Sequence, residues 1–274
     1  MSHSLRERIR SAVQAVRDAD RPRPTLLVLS EAGDPGLPEP LEDEVCLALR
    51  DLPGMPESLE ETVLRTGSAG PHAVWSVEEL PSHDSGVPET DRAFPVWAAA
   101  AAGAEDMWLS CGAGSLDPGI TPGSLMLVTD HLNLAGRSPL PAPDLEDLGS
   151  LFPTMDGAYT GGWVDQAEAV CAKHGTPVSR GVIISSRGPS LDTAAERRFY
   201  RLAGASAVVQ SMIPLVIAGV HAGMRILAVA VITDMPLPDV PGGSRVEPMI
   251  EAASSGRDHL GRLFRALLRE PMAP

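Results

Sequence analysis

Apolar and polar positions follow two rhythms along this chain. Short runs rich in Val, Ile and Leu, such as Leu26 to Leu29, Leu125 to Val128 and Ile226 to Ile232, are bounded by turn-forming residues and separated by longer stretches of helical spacing. The pattern predicts strands over about 25–30, 106–111, 124–129, 181–186, 206–210 and 225–233. Strands that alternate with helices read as βαβ units, which makes the fold class α/β. Residues 1–20 differ: Leu5, Ile9, Ala12, Val13 and Val16 recur at helical spacing with Arg6, Arg8 and Arg10 between them, predicting an amphipathic surface helix. This segment lacks the uninterrupted apolar core of a signal peptide. The longest apolar stretches, Trp97 to Ala102 and Ile226 to Ile232, are too short to span a bilayer.

Length and charge narrow the classes. A chain of 274 residues with 43% apolar composition suits one large α/β domain, 1–274, with no internal repeat. The net charge of −14, from 22 basic and 36 acidic residues, offers no basic surplus to neutralise phosphates, so neither nucleic acid nor an anionic membrane is expected as a partner. Cys46, Cys111 and Cys171 lack CxxC spacing, which suggests neither a disulfide framework nor a zinc or other metal site and fits a reducing cytoplasm. Gly and Pro cluster between elements and punctuate them. Glu78 to Asp91 holds Glu78, Glu79, Asp84, Glu89 and Asp91 without a Lys or Arg.

Candidate chemistry gathers at strand ends. Open α/β sheets bind ligands outside the carboxyl ends of their strands. Asp192, Ser211 and Asp234 all fall in such turns, which implies a small-molecule site with two carboxylates and a hydroxyl. The glycine-rich turn Cys111-Gly112-Ala113-Gly114 adds backbone amides that can approach an oxyanion closely. Asp192 could equally serve helix capping, with Ser190 as the expected cap before Thr193-Ala-Ala-Glu196. His221, on an apolar helical stretch, reads as a packed histidine. No histidine has a nucleophile and an acid at motif spacing, so a catalytic triad is rejected.

The ordered blocks Gly188-Pro-Ser-Leu-Asp-Thr-Ala-Ala-Glu196, Ser211-x-x-Pro214, His221-x-Gly223 and Ile232-Thr-Asp234 resemble the trimeric purine nucleoside phosphorylases, including the methylthioadenosine phosphorylase branch. Upstream, Phe94-Pro95-Val96, Cys111-Gly-Ala-Gly-Ser-Leu116, Pro122-Gly123, Asp130-His-Leu-Asn-Leu134 and Phe152-Pro-x-Met155-x-x-Ala-Tyr159 follow the same register, so the resemblance covers roughly residues 20 to 265. It implies a single domain with a central mixed sheet flanked by helices, a pentosyltransferase-like activity on the N-glycosidic bond of a purine nucleoside, and a cytoplasmic homotrimer. No cofactor is implied, with phosphate as the candidate co-substrate.

Carried over residue by residue, the resemblance makes Asp234 the base-recognising acid and Ser211 a contact for phosphate and sugar. Asp192 and Leu191 stand where a purine-reading Glu and a ring-stacking Phe are found, and Gln210 replaces a Met beneath the ribose. Cys111 and Gly112 form the glycine-rich turn. Val246 falls near a 5′-hydroxyl-binding His, which suggests a 5′-modified sugar, and Leu148 stands where a neighbouring subunit's aromatic enters the site. Asp84 occupies the place of a ribose-binding Tyr. The phosphate donors are lost: Glu31 and Ala32 replace a Gly-Ser turn, and Leu80 and Ser82, with His83 one step off, replace an Arg and a His. Unless Arg65 or Arg92 reaches in from elsewhere, phosphate dependence is expected to be weak. The alternatives are hydrolysis assisted by Glu31 or Asp84, a repurposed homologue in specialised metabolism, and a non-catalytic nucleoside-binding protein.

Overall fold

The computed structural model describes residues 4–19, 21–31, 37, 40–81, 85–140, 148–150, 152–235 and 246–269; the side chains of Glu31, Glu79, Val246 and Glu247 lie outside that description. The first helix, α1 (Leu5–Asp18), starts at a capping box in which Ser4 and Glu7 satisfy each other's backbone N–H groups. It buries Ile9, Ala12, Val13 and Val16, the stripe its periodicity predicts.

Nine strands are present among the described residues: β1 (Leu26–Glu31), β2 (Glu42–Ala48), β3 (Val63–Ala69), β4 (His72–Leu80), β5 (Asp106–Ser115), β6 (Leu125–Leu132), β7 (Val178–Ser185), β8 (Ala207–Val209) and β9 (Arg225–Asp234). All six strands predicted from the apolar runs are found. The helices that follow α1 are α2 (Glu89–Arg92), α3 (Phe94–Ala102), α4 (Gly161–His174), α5 (Ala194–Leu202), α6 (Met212–His221) and α7 (Val246–Leu268).

The sheet is mixed, as expected, but it is not open. β4, β1, β5 and β9 run parallel, and β3 and β2 extend the β4 side antiparallel. β6 then pairs antiparallel with β9, β7 and β8 follow parallel to β6, and β8 returns antiparallel to β5. Five strands thereby close a ring, β5-β8-β7-β6-β9. Closure removes two edges that would otherwise expose unpaired backbone.

Each face of β5 packs on a different layer. Met107, Leu109, Cys111 and Ala113 share a core with residues of α1, α3 and α6. Trp108 points the other way, its ring centroid 6.3 Å from that of Trp163 on α4 and 5.0 Å from that of Phe264 on α7. Buried rings of this size each withdraw a large apolar area from water, so they fix α4 and α7 on the sheet. At the start of β5 and β9, Arg225 clamps Asp106 through two hydrogen bonds, Nε to Oδ1 at 2.7 Å and Nη2 to Oδ2 at 3.0 Å. Among the described residues no helix is long and apolar enough to cross a membrane.

Candidate functional site

The site arises where β5 changes partners. On one edge β5 pairs with β1 from Asp106 to Ser110, and the same edge meets β8 at Gly114 and Ser115. Between them, Cys111, Gly112 and Ala113 pair with no strand on that side among the described residues. A change of partner leaves a crevice and backbone polar groups outside the ladder, the setting in which α/β proteins bind ligands. Cys111 is buried and Gly112 is exposed, so Gly112 presents the backbone to the crevice. A Cβ at Gly112 would meet only the Thr233 methyl at 3.5 Å, so the residue leaves room and is not demanded by packing.

Asp234 reaches this place through a bulge. The pairing of β5 with β9 shifts between Ala113 and Gly114, so Gly114 opposes Asp234 and Thr233 is the extra residue. Bulges re-aim side chains at the ends of strands. Asp234 is half-buried there, and the Thr233 hydroxyl lies 3.3 Å from the Ala113 carbonyl and 3.4 Å from Asp234 Oδ1. Ser211 arrives from the other side, because antiparallel β8 runs back along β5 towards Cys111. It is the N-cap residue of α6 and is 9% exposed, yet its side chain makes no capping bond.

Gln210 faces the turn after β7. Gly188 has a φ of +56°, and a Cβ there would fall on the Gln210 carboxamide, so the glycine lets the two turns touch. Within that turn the expected roles change. Thr193, and neither Ser190 nor Asp192, caps α5, in a capping box with Glu196. Asp192 instead accepts a 3.0 Å hydrogen bond from Tyr200, a buried residue whose phenol is raised above its ordinary pKa by burial and then by Asp192. Leu191 is 62% exposed.

Leu80 and Leu148 have the following surroundings. Leu80 pairs with Glu31 at the ends of β4 and β1 but is fully buried, so its side chain belongs to the core and lines no anion site. Leu148 packs partly on its own core, and Gly149 lies against the His221 carbonyl at the far end of α6 from Ser211. Ten helical residues separate those ends, roughly 15 Å, so Leu148 does not complete its own protomer's crevice. Ala32, Ser82, His83 and Asp84, and the side chains of Glu31 and Val246, lie outside the described residues.

The cations weighed from the sequence are matched by carboxylates. Arg65 pairs with Glu44 at 2.6 Å and with Glu78. Arg92 is fully buried, donates to the Pro81 carbonyl at 2.9 Å and pairs with Glu89 at 2.9 Å. Sequence reasoning missed Arg137, which pairs with the other oxygen of Glu89 at 3.2 Å and donates to the Arg187 carbonyl at 3.2 Å. This cluster ties the segment after β4 to the turn after β7. The signal for half of it was the i,i+3 spacing of Glu89 and Arg92.

At the end of β6, His131 Nδ1 lies 2.9 Å from the Tyr159 hydroxyl. Burial lowers the pKa of His131 and raises that of Tyr159, and the neighbouring Cys111 raises Tyr159 further. Both shifts favour the neutral forms of the pair.

Comparison with known proteins bears on the family and the fold. The model of the phosphorylase superfamily matches residues 33–269. Purine nucleoside phosphorylase 1 of Bacillus subtilis (strain 168) is 38% identical over 141 residues, 52% of each chain. Purine nucleoside phosphorylase of Bos taurus is 31% identical over 190 residues, 67% of this chain and 66% of that protein. The matched region thus spans about half to two thirds of these relatives' length. The crystal structure of Schistosoma mansoni purine nucleoside phosphorylase in complex with inosine superposes over the whole of both chains with a TM-score of 0.91 at 20% identity, a likeness of fold.

Proposed function

Because the chain belongs to the phosphorylase superfamily, we propose that it is a pentosyltransferase-like enzyme that cleaves the N-glycosidic bond of a purine nucleoside. The observation that carries this reading is the crevice at Cys111 to Ala113, flanked by Ser211 on one side and Asp234 on the other. Cleavage leaves positive charge on the sugar and negative charge on the departing base. Asp234 holds the purine through its N7 proton or exocyclic group, and such a positioned carboxyl contributes on the order of 10²- to 10⁴-fold. The Gly112 amide and the Ser211 hydroxyl face the opposite side of the sugar, where the nucleophile enters. No cofactor enters this scheme.

The nucleophile is phosphate or water. Binding a dianion calls for several charge-assisted donors. Leu80 contributes none, and Arg65 and Arg92 are matched by carboxylates, which supports weak phosphate dependence. Val246, which the resemblance aligns with the residue at the sugar's 5′ end, supports a 5′-modified nucleoside as substrate. We read the chain further as a cytoplasmic homotrimer: its three cysteines are free, and Leu134 and Phe152, 52% and 86% exposed, offer apolar surface, Phe152 four residues after Leu148.

The test is release of free base from a panel of purine nucleosides, 5′-deoxy forms included, with and without phosphate. Base release that falls at least 100-fold in Asp234→Ala, in a variant that still folds, is the expected result. Failure to release or bind any purine nucleoside would overturn the proposal.

A further inference from the structure

The chain carries a single lysine, Lys173, among its 22 Lys and Arg residues, and that lysine stands where cations concentrate. α4 and α7 pack side by side, and between their C-terminal ends lies a cavity of about 310 Å³. Among the described residues seven line it: five are Lys173, His174, Arg262, Arg265 and Arg269, the other two are apolar, and none of the seven is a carboxylate. Lys173, His174, Arg262 and Arg269 are exposed, and Arg265 is half-buried and already engaged.

Cations at helix C-termini are ordinary, since each terminus carries about −0.5 charge that attracts them. Two such ends account for about one unit. Lys173, Arg262 and Arg269 alone, with His174 and Arg265 left out, supply three, so among the described lining residues the positive charge exceeds what the two helix ends offset, in a protein whose net charge is −14. The cavity also has the size of a small-molecule site, at the lower end of the usual range of roughly 300 to 1,000 Å³. It is separate from the crevice: Gly256 of α7 packs on Val231 near the end of β9, and Leu268 lies twelve residues further along the helix, roughly 18 Å away.

We infer that this cavity binds a small anion with two or more linked phosphate groups. Arg262 and Arg269 are seven residues apart, two helical turns or roughly 10 Å along the axis, with Arg265 between them and Lys173 facing them from α4. An elongated condensed phosphate matches that row better than a single phosphate, and arginine's fork suits phosphate oxygens in particular.

The single lysine makes the test specific. Acylation of Lys173 by an amine-reactive reagent, followed by mass spectrometry of the intact chain and its peptides, is measured with inorganic tripolyphosphate, pyrophosphate or orthophosphate present, and affinities are read by calorimetry. Tripolyphosphate should protect Lys173 saturably and bind at least tenfold tighter than orthophosphate. Arg262→Gln with Arg269→Gln should weaken that binding about 100-fold, about tenfold per lost contact. Lys173→Gln, at an exposed position, should weaken it about tenfold in an unchanged fold. Equal binding of orthophosphate, retention of binding in the double variant, or protection by an acidic peptide but not by tripolyphosphate would overturn the assignment. None of these readouts depends on nucleoside cleavage, so the two proposals stand or fall separately.

Discussion

Substituting Gly188 tests the site's assembly directly, because one residue joins two of its turns. Gly188 has a φ of +56°, and a Cβ built there lies 2.9 Å from Gln210 Nε2, with Oε1 and Cδ closer still. An L-residue in the left-handed region costs roughly 1–2 kcal/mol, and the following proline disfavours alternatives in the helical region. Gly188→Ala should therefore lower stability by about 1–3 kcal/mol, with the larger values arising from displacement of Gln210. The collision is with a flexible side chain, so shortening that side chain should relieve it. Gln210→Ala alone removes a half-buried amide and should cost about 1 kcal/mol or less. In the double variant the loss should be smaller than the sum by about 0.5–1.5 kcal/mol. Denaturant unfolding of the four proteins gives the cycle, and purine nucleoside binding by each reports whether the turns move with it. Additivity within about 0.5 kcal/mol would show that Gln210 does not lie against Gly188, and the description of the crevice's wall would fail.

Other outcomes follow from individual environments. Leu80→Arg places an unpaired charge at a fully buried position and should cost more than about 4 kcal/mol, seen as lost soluble protein; a folded variant with tighter phosphate binding would show that position 80 reaches the anion site. Asp192→Ala leaves the buried Tyr200 hydroxyl without its partner and should cost about 1–3 kcal/mol, part of which Tyr200→Phe restores; an unchanged unfolding midpoint would refute the structural role. His131 and His221 are both held below the ordinary histidine pKa by burial, with Asp130 opposing the shift at His131. Their unfolded forms take protons near pH 6.5 while the folded forms do not, so stability should fall as pH drops through and below about 6.5, and His131→Asn should flatten that slope in thermal unfolding.

Much of the fold was legible because the strands around β5 are continuous apolar runs buried on both faces. β2, β3 and β4 were harder to read, since β2 carries Glu42, Asp43 and Glu44 and β3 carries Thr66, Gly67 and Ser68, as suits strands towards an open edge. Ring closure had no local signal: β8 meets β5 at two residue pairs, Gly114 with Val208 and Ser115 with Ala207, more than ninety positions apart in the chain. The cap of α5 was readable in principle. Ser190, Asp192 and Thr193 are all good caps, but Thr193 has Glu196 three residues later, and that reciprocal pair decides the start of the helix.

The same contrast separates what topology determines from what side chains determine. A strand that exchanges a parallel partner for an antiparallel one must leave backbone groups outside its ladder, so the crevice at Cys111 to Ala113 follows from the pairing of β1, β5 and β8 whatever the side chains are. Its selectivity is a different matter. Asp234 and Ser211 are brought there by a bulge and a helix start, and in the proposed reaction they serve the base and the sugar-side nucleophile. Water needs one or two hydrogen-bond partners to be oriented, whereas a phosphate dianion requires compensating charge. The arginines weighed from the sequence as donors to a phosphate, Arg65 and Arg92, already serve Glu44, Glu78 and Glu89, and Arg137 shares Glu89. Base preference would be similar for phosphorolysis and hydrolysis. The phosphate dependence of base release is therefore the quantity that distinguishes them.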